Sequence, residues 1–190
     1  HSATGPGPRL ETLMTTRQTE ATHQTTLPPF DLSKLPADLT KQLKYAVPTD
    51  EDMAVLAGIR SATSPWKERG ETPTESMEHL TKLRPFIQVA KVQGHVAGYV
   101  TIERDGPVPG AAYMRNIVVK PELRKRGVGK VLLEHGLSVA RDMNRKTLAL
   151  RVDPANAIAV SFYRTGGFTT VATVVSKKSG KLRLLMSREL

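Results

Sequence analysis

The chain has 190 residues, 39% hydrophobic and 24% charged, enough for one core-bearing domain with some tail to spare. No apolar run approaches the roughly 18–20 residues that span a bilayer, and the absence of cysteine excludes disulfides, thiolate metal sites and a cysteine nucleophile. The net charge of +10 lies wholly beyond residue 43, because Arg9, Arg17, Lys34 and Lys41 balance Glu11, Glu20, Asp31 and Asp38. A domain this basic attracts anions: a phosphorylated cofactor, nucleic acid or an acidic surface.

Residues 1–26 are rich in Thr, Gly and Pro without apolar periodicity, which predicts an unstructured arm. The chain opens on His1, and Met14 is read as a native start with a foreign remnant before it. No apolar core of a secretory signal is visible, and with no cysteine the expected location is a reducing cytoplasm. Ser33, Lys34, Leu35 and Pro36 precede Leu39 and Leu43, so a short helix is expected near 34–43. Residues 1–43 thus read as an arm and 44–190 as a single domain.

From Lys44 onward, strand and helix patterns alternate. Lys44–Val47 reads as a strand, 50–61 and 74–83 as helices, and the polar stretch around Trp66 as the loop between them. The β-rich runs 86–92 and 95–104 flank Gln93-Gly94 and predict a hairpin. Ala111–Val119 is a further strand. Positions 128, 132, 133, 137, 140 and 143 form one apolar stripe on a helix over 126–143. Thr147–Val152 is a strand, Asn156–Arg164 a short helix stopped by Gly166-Gly167, and 168–177 and 181–189 a closing pair. The sum is an α/β fold: a mixed sheet of six or seven strands under about four helices.

Between the strand at 111–119 and the helix at 126–143 lies Arg124-Lys125-Arg126-Gly127-Val128-Gly129-Lys130. A glycine-rich turn into a helix binds phosphate, because first-turn N–H groups lack intrahelical partners and the helix dipole favours negative charge there. It is not a P-loop, since Arg124 and Val131 stand where glycine and Ser or Thr are required. Nor is it a dinucleotide fingerprint, because Leu132 and Arg151 replace the third glycine and the acidic residue. The pattern Arg/Gln-x-x-Gly-x-Gly/Ala fits at every fixed position.

Two flanking stretches give that short pattern weight. Asn116 to Arg124, with Pro121, resembles the strand and turn before the corresponding loop of the GCN5-related N-acetyltransferases. Asn156-x-x-Ala159-x-x-Phe162-Tyr163-x-x-x-Gly167-Phe168 resembles that family's segment from the fifth strand into the last helix. The resemblance covers roughly Phe86–Phe168, and weakly as far back as Lys44.

The resemblance implies a mostly antiparallel sheet in which two parallel strands, 111–119 and 147–152, splay apart to bind acetyl-coenzyme A. The backbone of Ile117, Val118 and Val119 would pair with the pantetheine arm as an added strand does. The pyrophosphate would sit on Arg124, Lys125, Arg126, Gly127, Val128, Gly129 and Lys130. Asn156 would bond the pantetheine arm or cap its helix, roles that are compatible. Tyr163 is either a half-buried aromatic or the general acid that protonates the departing thiolate. An amine would attack the thioester directly, with no metal and no covalent enzyme intermediate. Many members carry a carboxylate on the strand before the loop, but Ala111 to Ile117 contains none. Glu103 is the nearest substitute base, unless it is merely a solvated strand end.

The expected acceptor is a small-molecule or peptide amine. Trp66, Lys67, Glu68, Arg69, Glu71, Glu75 and Glu78 stand near its wall, where the carboxylates either hold a cationic amine or form a solvated face. Trp66 is a core plug or a substrate platform. His79, His95 and His135 have no ligand-like spacing, so no metal site is expected. Two other classes remain open: an acetyltransferase or binding protein directed at nucleic acid, of the aminoacyl-tRNA type, and a non-catalytic CoA sensor. A homodimer is compatible with the pattern.

Overall fold

In the computed structural model, Leu27 and residues 30–190 are described. The expected unstructured arm over residues 1–26, and the start at Met14, lie outside the described residues.

Among the described residues seven strands form one sheet: β1 (Lys44–Ala46), β2 (Ile87–Val92), β3 (His95–Glu103), β4 (Ala112–Val119), β5 (Thr147–Val152), β6 (Thr169–Val175) and β7 (Leu182–Glu189). Their order is β1-β2-β3-β4-β5-β7-β6, and every pairing is antiparallel except β4 with β5. Among the described residues four α-helices cover it: α1 (Asp50–Ser61), α2 (Pro73–Leu83), α3 (Val128–Asp142) and α4 (Ala157–Thr165). The expected mixed sheet of six or seven strands with about four helices is what the chain forms.

Local chemistry explains the boundaries. Thr49 and Asp52 make a reciprocal capping box at α1, and Thr72 and Glu75 make another at α2 with Pro73 in the first turn. Gln93 (φ 50°) and Gly94 (φ 80°) form the two-residue turn of the β2–β3 hairpin, where positive φ at both positions matches strand twist. The helix expected near 34–43 is instead two 3-10 turns, Leu32–Lys34 and Leu39–Gln42. Leu35 between them is extended (ψ 137°), because a residue before proline is pushed out of the helical region.

The core is split by the sheet. On one face α3 and α4 pack Leu132, Leu133, Leu137 and Val160 against Val100, Ile102, Met114, Leu148 and Leu150, with Leu39 and Leu43 beneath them. On the other face α1 and α2 pack Met53, Leu56, Ile59, Leu80 and Leu83 against Ile87, Val89, Tyr99 and Val118. Each fully buried side chain of this size contributes about 1.5–3 kcal/mol. The two layers fix the sheet between them, and the β4–β5 pair at its centre.

Candidate active site

β4 and β5 begin as partners and then part. Ala112, Tyr113 and Met114 register with Leu148, Ala149 and Leu150, and no pairing follows, although β4 runs on to Val119 and β5 to Val152. The cause lies on the other edge of β4. Thr101 of β3 pairs with Asn116 while Ile102 pairs with Met114, so Arg115 is an extra residue bulging from the ladder. A bulge bends its strand and sharpens the local twist. It falls where pairing to β5 stops, which leaves the β5-facing backbone edge of Arg115–Val119 open. Ile117 and Val119 point into the α3 layer and Val118 into the α1–α2 layer, so their side chains anchor a strand whose main chain stays available.

The loop that follows is shaped for an anion. Lys125 (φ 60°) and Gly127 (φ 81°) both take left-handed backbone, which aims successive N–H groups toward one side. Gly127 stands at the N-cap of α3 and no side chain caps the helix, so the N–H groups of Val128, Gly129 and Lys130 are unclaimed. These turns start the helix at Val128 rather than at the expected 126. Gly129 seats this first turn between Phe162 of α4 and Val119 of β4. Arg124, Lys125, Arg126 and Lys130 surround it with positive charge, and Arg124 also donates to Thr63 Oγ1 at 3.0 Å, tying the loop to the α1–α2 connection.

Two further residues expected at the site lie on or beside α4. Asn156 caps the helix, its Oδ1 accepting from the Ala159 N–H at 3.1 Å, which leaves its amide NH2 free to donate. Tyr163 packs edge-on against Phe162 and Phe168. Burial lifts its hydroxyl above the ordinary tyrosine range, and the neighbouring Tyr113 adds to the effect. The hydroxyl therefore stays protonated at neutral pH.

The sheet face toward α1 and α2 forms the wall opposite. Glu103 is there, but its carboxylate accepts from Arg115 Nε at 2.7 Å. The Arg115 guanidinium also lies over the Tyr113 ring, 5.3 Å from its centre. The carboxylates considered for holding an amine are mostly engaged. Glu71 binds Arg60 at 2.6 Å and accepts from Ser76, Glu75 closes the α2 capping box, and Glu68 accepts from Ser64. Burial works against the charged Glu71, yet the Arg60 and Ser76 bonds hold its carboxyl below the usual range. Trp66 stacks under the Arg60 guanidinium at 4.1 Å and packs against the core, which makes it a plug. Among the described residues no group of His, Asp and Glu has the arrangement of a metal site.

Sequence reasoning missed the bulge at Arg115, Thr40 beside Gly127, and the polar row formed by Arg60, Tyr99, Thr101 and Asn116. Only Asn116 carried a signal, at the head of the recognised stretch. The rest depends on register.

Comparison with known proteins agrees with this geometry. The sequence profile described as "Acetyltransferase (GNAT) family" matches residues 54–168, more than half of the chain, and the chain belongs to that family of acetyltransferases. It is similar to the ribosomal protein bS18-alanine N-acetyltransferase of Escherichia coli K12, 28% identical over 120 residues, covering 63% of this chain and 75% of the relative. A Bacillus subtilis protein carrying that designation provisionally is 29% identical over 109 residues, 56% of this chain and 66% of its own length. Among solved structures, Ard1 from Thermoplasma volcanium superposes with a TM-score of 0.63 at 24% identity, covering 78% of this chain and 98% of the other; it shares the fold. Among the described residues no helix is long and apolar enough to cross a membrane.

Proposed function

We propose that this chain transfers the acetyl group of acetyl-CoA to a primary amine of a peptide or protein, by direct attack within a ternary complex. The observation that carries the reading is the parting of β4 from β5 after Met114 and Leu150, beside an uncapped, glycine-shaped helix start. The open edge at Ile117–Val119 fits a pantetheine arm, which has amide donors and acceptors to pair with a strand. The N–H groups and cations of Arg124–Lys130 fit its pyrophosphate.

Tyr163 is the proposed general acid for the thiolate, and a backbone N–H near Val118 or Val119 the oxyanion donor. Holding both substrates in one cleft supplies much of the rate. Glu103 is a weaker proposal as base, since its carboxylate is bonded to Arg115. A polypeptide acceptor is favoured by the relatives, whose printed activity is acetylation of an alanine in a ribosomal protein. The domain bounded by residues 44–190 is the unit proposed to do this, with residues 30–43 packed against it.

The test is thermal melting with acetyl-CoA, followed by thiol release over a panel of peptides and small amines. A ligand that binds only the folded state must raise the melting temperature. Stabilisation with turnover on peptides bears out the reading. Absence of any shift at saturating acetyl-CoA overturns it.

A further inference from the structure

Buried side-chain polar atoms without a well-formed hydrogen bond among the described residues are Arg60 Nη1, His79 Nε2, Tyr99 Oη, Thr101 Oγ1 and Asn116 Oδ1, and of these residues Arg60 and Tyr99 face each other. They are not scattered. Tyr99 and Thr101 are two apart on β3 and share a face, and Asn116 of β4 registers opposite Thr101 on that same face. Tyr99 belongs to the layer packed by α1 and α2, the helices that carry Arg60 and His79. Asn116, Thr101 and Tyr99 therefore form one row on the sheet beside the β4 bulge, under the helices that carry Arg60 and His79, and His79 lies within range of the charges of Arg60 and of Arg115 in the bulge.

A buried polar atom left unpaired costs about 1–3 kcal/mol. Buried polar groups gathered in one layer can share ordered water, which needs two to four polar partners at each position. The row begins at Asn116, next in the chain to Ile117 and the open edge. Over it lies His79, whose Nε2 is buried but whose ring is otherwise only half-buried, giving an exit to solvent.

We propose that water fills this row and that His79 Nε2 accepts the proton lost by the attacking amine, relayed past Asn116 and Thr101. The inference rests on the acetyltransferase reading above. The groups facing His79 suit the role. Burial first, then Arg60 of α1, Arg115 of β4 and Lys178 of the β6–β7 hairpin, hold the imidazole below its ordinary proton affinity; Glu71 alone opposes them. The ring is thus neutral at pH 7 and has a free lone pair. In the step, the amine nitrogen gives one proton to water and water gives one to Nε2. The nitrogen lone pair forms the C–N bond, the C–S bond breaks, and the sulfur takes its proton from Tyr163. The imidazolium returns its proton to solvent through its exposed edge, and the Tyr163 phenolate takes one back from solvent as CoA leaves, so no net proton is gained or lost.

The experiment measures kcat/KM against pH for wild type and His79→Gln with a peptide amine, together with melting and acetyl-CoA binding of both. Wild type is expected to show a plateau bounded by an acid limb below about pH 6.5. His79→Gln is expected to lose about 100-fold in rate and to climb tenfold per pH unit toward the amine pKa, with melting and acetyl-CoA affinity unchanged. A wild-type profile in the variant overturns the proposal, as does a rate loss that keeps the acid limb. If His79→Gln fails to melt cooperatively, Thr101→Val decides: a slowed enzyme with a flattened limb supports the relay, and unchanged kinetics overturn it. A wild-type chain that transfers to no amine overturns the parent reading, and this inference falls with it.

Discussion

Thr40 closes over Gly127: its Cγ2 stands 3.3 Å from where a Cβ on that glycine would lie. Gly127 also has φ +81°, a conformation that costs a side-chain-bearing residue about 1–2 kcal/mol. Gly129 differs. A Cβ there would meet only Phe162 and Val119 at 3.6–3.7 Å, ordinary contact, and its backbone is helical. Gly127→Ala is therefore expected to lose about 1–2 kcal/mol of stability and at least tenfold in acetyl-CoA affinity, while Gly129→Ala keeps both. Urea melts and acetyl-CoA titration of the two variants check this. The contrast accounts for a pattern that demands glycine at the first position and accepts alanine at the second.

Tyr163→Phe removes one oxygen and leaves the ring against Phe162 and Phe168. Folding and acetyl-CoA binding are expected to persist, while kcat falls roughly 10²–10⁴-fold, the span of a lost general acid. Steady-state kinetics with a fixed peptide acceptor measure it. An unaltered kcat would remove Tyr163 from the chemistry.

Long periodic elements were legible in the sequence because one face of each is apolar. The stripe at 128, 132, 133, 137 and 140 became α3, and the alternating runs about Gln93-Gly94 became β2 and β3. The glycine-shaped loop before α3 was legible because glycine spacing there is dictated by backbone geometry. What stayed hidden depends on partners distant in the chain. Arg115 bulges only because Thr101 and Ile102 register as they do. Glu71 reads from sequence as either an amine-holding carboxylate or part of a solvated face, whereas its carboxylate is bonded to Arg60, eleven residues earlier. The segment 34–43 looked helical because Leu39 and Leu43 are four apart, but Pro36 breaks it into turns, and both leucines are buried all the same.

Arg60 is buried with its guanidinium on Glu71 and over Trp66. Removing one partner of a buried pair strands the other charge. Arg60→Ala is expected to cost about 3 kcal/mol, the lower end of the range for such pairs because Glu71 is partly exposed. The shift in urea midpoint at constant slope reads it directly.

Acid should destabilise the fold in two stages. Burial holds His79 and His135 below their ordinary affinity for protons, so near pH 6 the unfolded chain binds more protons than the folded one. Stability then rises with pH through that window and is lost as pH falls below about 6.5. Hydrogen bonds from Arg60 and Ser76 hold Glu71 below its ordinary range against burial, so its contribution is lost in a second stage at lower pH. Melting temperatures from pH 7.5 down to 4 should fall throughout, and His135→Gln should flatten the first stage.

The most direct test of the central claim is amide hydrogen exchange with and without acetyl-CoA. The account predicts that, beyond the uniform gain of core amides that exchange by global unfolding, the largest new protection falls on two stretches, the open edge at Arg115–Val119 and the loop at Arg124–Lys130. No local gain at these two stretches at saturating ligand would contradict a cofactor held where β4 leaves β5.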